Sequence, residues 1–285
     1  MKKFLIVLTF VSTIFSCEAV WNNGPTQLLK DIFKIMNVSG VEKLETAVQQ
    51  SNFRWIRPKG LELWDRQYSL LDDTQRLALT KIVSRSDLAK EKLPCKKHYD
   101  AIVILGATAT RVKSRIEFFS RIHKLGITCD KVYLLGSTRD LKIGTEADKE
   151  MAQALEEKGA EATEMAMMQE LWHQSTLSQP SNSIIIAIQS GQREDGARAN
   201  TEDTLRDMVK DFGDAKGKNF LFISNNPYIP YQDAVAKKVL SFSGANIETV
   251  GQAMPANTTM ENVLDTVARC LTNIQGLNGL SKANQ

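Results

Sequence analysis

The sequence predicts an α/β protein: a Rossmann-like, doubly wound, mainly parallel sheet of about five strands, preceded by an N-terminal helical layer. Three observations carry that expectation. From residue 95 onward, short apolar runs alternate with segments of helical periodicity, as a parallel sheet with crossover helices requires. Asp100-Ala-Ile-Val-Ile-Leu-Gly106 is apolar throughout after its first residue, the signature of a central strand buried on both faces. Residues 24–92 instead carry their apolar side chains at helical spacing.

Met1-Lys2-Lys3 and the run Phe4–Phe15, apolar but for Thr9, Ser12 and Thr13, open the chain. At roughly 12 residues the run is too short for the ~20 that a bilayer-spanning helix needs, so residues 1–19 are expected to be a signal peptide. The expected location is the periplasm or cell envelope. Cleavage after Ala19 competes with a lipobox reading of Ile14-Phe15-Ser16-Cys17, which would put a lipid and a membrane tether on Cys17. Phe15 is bulky where lipoboxes carry a small or β-branched residue, which favours simple cleavage.

Residues 20–94 form the helical region. Leu28, Leu29, Ile32, Phe33, Ile35 and Met36 recur at helical spacing, as do Leu70, Leu71, Leu77, Leu79 and Ile82. Pro58-Lys59-Gly60 breaks it in two, and Trp55, Trp64 and Tyr68 are its expected packing anchors. Pro94 marks the boundary of the main domain, 95–276. After the first strand a helix runs through Ile116, Phe119, Ile122 and Leu125 to Gly126. Lys131–Gly136 is the next strand, followed by helices over 145–159 and 163–174. Strands follow at 183–189, 219–224 and 246–250, with helices over 200–211 and 231–241. A last helix covers 259–274, and 277–285, rich in Gly, Ser and Asn, is expected to be a flexible tail.

A hydrophobic content of 42% over 285 residues supports one sizeable core and a smaller appendage. The net charge of +3, spread without a basic run, gives no electrostatic case for nucleic acid. Export would make a Cys95–Cys129 disulfide plausible at the N-terminal edge of neighbouring strands, at about 3–4 kcal/mol from loop closure. The alternative is that Cys95, Cys129 and Cys270 are unpaired small hydrophobes. No CxxC or Cys/His spacing suggests zinc or another metal.

Ligands of such sheets bind beyond the carboxyl ends of the strands, near the switch in strand order. Four loops qualify. Gly106-Ala-Thr-Ala-Thr110-Arg111 leads from strand into helix, where backbone N–H groups attract anions; Thr108 and Thr110 add hydroxyls, Arg111 and Arg115 add charge. Neither GxGxxG nor GxxxxGK[ST] is present. Arg139 follows the second strand. Arg198 precedes Asn200 and Thr201, which also read as a helix cap with Asp203 at the third helical position. Ser224, Asn225 and Tyr228 lie in a polar loop stiffened by Pro227 and Pro230. Glu146 and Glu164, each opening a helix, are the candidate acid–base groups, with first-turn dipole partners as the competing reading. No GxSxG elbow exists, and His98, His123 and His173 are poorly placed for a triad.

These segments together resemble the YdcF/SanA/ElyC-like family of bacterial envelope proteins, over about residues 99–251. Ile104-Leu105-Gly106 with Arg111 and Arg115 matches the family's first strand and arginine-bearing helix. Its Glu-Ala-x-x-Met helix start matches either Glu146-Ala147 with Met151 or Glu164 with Met167 and Met168. Its Asn-Thr-x-Glu-Asn segment matches Asn200-Thr201-Glu202-Asp203-Thr204, and its strand-then-Tyr-His segment matches Ile223–Tyr228. Here the family's histidine and following arginine are missing. The resemblance implies a Rossmann-like fold, a phosphorylated or nucleotide-type ligand such as S-adenosylmethionine, and a role in envelope polysaccharide metabolism. No motif requires a cofactor. The expected partner is therefore a small anionic ligand; the competing expectation is a non-enzymatic interaction module using Trp55 and Trp64.

Overall fold

The computed structural model describes residues 20–22, 24–57, 71–175, 183–194, 196, 198–240 and 243–283. The predicted leader with Cys17, the break at 58–60, Trp64 and Tyr68 lie outside these residues.

The chain is α/β, built on a five-stranded, all-parallel sheet. Three helices come first: α1 (Gln27–Ile35), α2 (Leu44–Trp55) and α3 (Asp73–Val83). The strands are β1 (His98–Leu105), β2 (Thr128–Ser137), β3 (Ile184–Ser190), β4 (Asn219–Asn225) and β5 (Asn246–Gln252). Between them run α4 (Ala109–Lys124), α5 (Glu146–Glu157), α6 (Glu164–Gln174), α7 (Thr201–Phe212) and α8 (Ile229–Leu240), and α9 (Met260–Ala283) closes the chain. Strand order is β3-β2-β1-β4-β5, the doubly wound arrangement, and every neighbouring pair is parallel. Connections leave β1 toward β2 on one side and return to β4 on the other. The switch in strand order therefore falls between β1 and β4, where such sheets open a crevice beyond the strand ends.

Burial follows sheet position. In β1 the run Ala101–Leu105 is fully buried, because helices cover both faces of a central strand. The apolar run of β3 instead has Ile184 on the surface, as befits a strand at the sheet's edge. One face packs Ile102, Ile104, Val132 and Leu134 under α4, α5 and α6. The other packs Val103, Tyr133, Phe220 and Phe222 under α7 and α8.

The N-terminal helices build a core of their own instead of lying directly on the sheet. Leu29, Ile32, Phe33, Val48 and Trp55 pack with Val263, Leu264, Val267 and Leu271 of α9, and Ala234 of α8 joins the cluster. Trp55 is the expected anchor, 1% exposed with its ring 4.9 Å from Phe33. The last helix of the chain thus belongs to the first region's core, and it continues to Ala283 where the sequence predicts a loose tail from 277.

The anticipated Cys95–Cys129 disulfide is not formed: both thiols are free. Cys129 pairs in register with Tyr99 on β2, with its sulfur beside Ser183. Cys95 runs the other way, its N–H donating to Glu248 of β5 at 2.9 Å. With order β2-β1-β4-β5, the two cysteines are directed to opposite sides of the sheet.

Candidate functional site

A cleft of about 240 Å³ opens over the carboxyl ends of β1 and β2. Tyr228, Tyr231 and Gln232, from beyond β4, stand on its wall, so it lies beside the switch point between β1 and β4. Among the described residues six arginines line it, Arg57, Arg111, Arg115, Arg139, Arg198 and Arg269, against two carboxylates, Glu164 and Asp265. Six arginines less two carboxylates leave +4 on the lining, more than the +3 of the whole chain.

The sheet side is built from the turn after β1. Arg115, on the second turn of α4, is 2% exposed and reaches back under the turn. Its guanidinium donates to the carbonyls of Leu105 (2.6 Å) and Gly106 (2.8 Å) and twice to Asn225 Oδ1 (3.1 and 2.9 Å). Ser224 Oγ lies at 3.5 Å. All these acceptors are neutral. Burial first, and the nearby charge of Arg111 second, push the Arg115 pKa down to about 9, so it is still a cation at neutral pH. Arg111 stands one turn earlier with its guanidinium 4.6 Å from the centroid of the Tyr228 ring. Among the described residues neither arginine forms an ion pair.

Arg139, also buried, donates to the Ala107 carbonyl (3.0 Å) and faces Asp148 (3.5 Å) and Glu164 (3.8 Å). Asp148 serves two helices: it caps α5 reciprocally with Thr145, and it accepts the Ala109 N–H of α4 at 2.7 Å. Glu164 opens α6 and is anchored through Oε2 by the N–H and hydroxyl of Ser137, at 3.0 and 2.5 Å. Gly106 is required by this packing. A Cβ there would sit 2.7 Å from the Leu135 carbonyl and 2.9 Å from Glu164 Oε1.

The helical side is built differently. Asp265 of α9 accepts both Arg269 nitrogens (2.7 and 3.1 Å) and the backbone N–H of Arg57 (3.2 Å), tying α9 to the end of α2. Thr266 sits beside it, and Arg198 stands exposed at the rim before α7. Between the two sides, Tyr228 and Gln232 enter from the start of α8. They are 8% and 7% exposed, and Tyr228 Oη and Gln232 Oε1 are buried with no hydrogen-bond partner.

Of the residues singled out in the sequence, Gly106, Thr108, Arg111, Arg115, Arg139, Glu164, Arg198, Asn200, Thr201 and Tyr228 meet in this cleft. Ser224 and Asn225 do not line it but lie beneath, as acceptors for Arg115. Thr110 is exposed and outside. Glu146 is also outside: its side chain is 83% exposed and paired with Lys149, because it faces solvent at the start of α5. The acid–base reading therefore keeps only Glu164. Asn200 reaches the rim while its side chain caps Glu202 and Asp203, so the capping reading also holds.

Sequence reasoning missed Arg57, Asp265, Thr266 and Arg269, and left Tyr231 and Gln232 unassigned. A legible signal did exist in α9: Asp265 and Arg269 form an i,i+4 pair on a helix otherwise committed to the core.

The arrangement suits fixing negatively charged oxygens and stabilising charge that develops on them. No histidine or cysteine lines the cleft among the described residues; its two carboxylates are Glu164, bound through Oε2 to Ser137, and Asp265, bound to Arg269. No protein-family model matches this chain, and no curated protein sequence matches it.

Proposed function

We propose that the chain is an exported cell-envelope protein whose cleft binds a phosphorylated small molecule. The observation that carries this reading is Arg115: a buried arginine held only by neutral oxygens, beside a second arginine that also lacks a carboxylate. Burying a cation whose only opposite charge, Glu164, acts through space and not in contact is costly, and an anion arriving from solvent lowers that cost. The N-terminus of α4 also faces the cleft through Thr108, although its first N–H, on Ala109, is already taken by Asp148.

Export rests on the basic start and short apolar run of residues 1–19. The resemblance to the YdcF/SanA/ElyC-like family supports a setting in envelope polysaccharide metabolism, with Glu164 as the acid–base group if the ligand is also turned over. That resemblance allows two ligand types, and electrostatics separates them. S-adenosylmethionine brings a sulfonium cation, which six arginines and two carboxylates would repel; a phosphate ester brings the complementary charge. The rival reading, an interaction module working through Trp55 and Trp64, has no comparable observation behind it, since Trp55 is sealed in the helical core.

The test is a thermal-shift panel of sugar phosphates, nucleotides, polyprenyl phosphate analogues and S-adenosylmethionine, with wild type beside Arg111→Ala. A ligand at a hundred times its Kd stabilises by about 2.7 kcal/mol, roughly 5–10 °C for a chain of this size. Phosphorylated ligands are expected to shift the wild type and lose most of that shift in Arg111→Ala, while S-adenosylmethionine shifts neither. An unmoved midpoint across the phosphorylated panel would remove the reading.

A further inference from the structure

Resting on that reading, we propose that the cleft is a two-ended clamp for a diphosphate, with one phosphoryl group held on the sheet side and the other on the helical side. The arginines fall into two sets contributed by separate parts of the chain. Arg111, Arg115 and Arg139 come from α4 and the loop after β2; Arg57, Arg198 and Arg269 come from the end of α2, the loop before α7 and α9. On the sheet side Glu164 and Asp148 stand beside Arg139, and Arg111 and Arg115 have no ion pair among the described residues; on the helical side Asp265 holds Arg269. A single phosphoryl group offers three oxygens at one point and engages one set. A diphosphate spreads its charge over two linked centres and engages both, which fixed, planar guanidinium forks reward.

The polar atoms between the sets agree with this. Tyr228 Oη and Gln232 Oε1 are buried in the cleft without partners, and Tyr228 also carries Arg111 on its ring. A phenol hydroxyl donates readily to a bridging or inner phosphoryl oxygen. The volume of about 240 Å³ accommodates the diphosphate itself, leaving any esterified group at the mouth.

The experiment is calorimetric titration of the full chain with inorganic phosphate and with inorganic pyrophosphate, on wild type, Arg111→Ala and Arg198→Ala. Arg198 is exposed in a loop, so its removal leaves the core intact, and unliganded melting temperatures check this. Pyrophosphate is expected to bind at least 100-fold more tightly than phosphate. Arg111→Ala should weaken both; Arg198→Ala should weaken pyrophosphate about tenfold and phosphate by no more than about twofold. Equal affinities for the two anions, or equal losses in Arg198→Ala, would overturn the clamp while the phosphate-binding reading stands. Absence of binding by either anion would overturn both. Parallel titrations with geranyl diphosphate and uridine diphosphate separate a lipid-borne from a nucleotide-borne diphosphate: whichever binds more tightly than pyrophosphate names the source, and weaker binding by both overturns an esterified ligand.

Discussion

The two sides of the cleft hold their arginines by opposite means. On the sheet side, Arg115 is locked by backbone carbonyls and an asparagine, with no carboxylate in contact with it among the described residues. On the helical side, Arg269 is pinned by a bidentate bond to Asp265, which also takes the Arg57 N–H. The first arrangement positions a charge and leaves it hungry for an anion; the second positions a charge that is already half satisfied. The sheet side should therefore supply most of the affinity, and the helical side the selectivity for how far the ligand's charge extends.

The strongest way to break this contrast is Trp55→Ala, which empties the helical core two residues before Arg57. It should destabilise by about 3–5 kcal/mol in urea unfolding and scatter the helical arginines, so that any protein still folded loses its preference for pyrophosphate. Arg111→Ala acts on the sheet side alone. It should cost roughly 1.5–3 kcal/mol of phosphate binding, roughly 10- to 100-fold in calorimetric Kd, with little change in unfolding free energy. Gly106→Ala drives a Cβ against the Leu135 carbonyl and Glu164, at an expected cost of about 1–3 kcal/mol of stability and with weakened binding, because Glu164 and Arg139 must move.

A control outside the cleft is Asp207 of α7, which accepts the Ser190 hydroxyl at 2.6 Å. That hydrogen bond, helped by Lys210, holds its carboxyl below the ordinary value of 3.8. Because the folded value is the lower one, the stabilisation is present above pH 3.8 and lost as pH falls through the folded value. Asp207→Asn should flatten that acid limb by no more than about 1 kcal/mol, since solvent screens the group, and should leave anion binding untouched. Unfolding at pH 5 and pH 3 reads the first, and calorimetric titration with pyrophosphate at neutral pH reads the second.

The same contrast explains what the sequence made legible. The sheet side obeys a local rule: a buried strand ending at Gly106, then a helix, then an arginine one turn in. From it Arg111, Arg115, Arg139 and Tyr228 can be found without coordinates. The helical side obeys no local rule. Arg57 and Arg269 reach the cleft because α9, at the far end of the chain, packs into the core of α1–α3, and sequence periodicity says nothing about which helices meet. Glu146 illustrates the limit from the other direction. It and Glu164 both open helices after β2 and look alike in sequence, yet only Glu164 lies against Gly106 and Ser137. Cys95 and Cys129 fail similarly: their strands neighbour each other as expected, but the chain before β1 turns toward β5.

The most direct test of the central claim is a crystal structure of the chain with pyrophosphate bound. Phosphoryl density is predicted between the Arg111 and Arg139 guanidinium groups, within hydrogen-bonding distance of the Tyr228 hydroxyl and reaching toward Arg269. Density at another surface, with Arg115 still held only by neutral oxygens and the cleft empty, would contradict it.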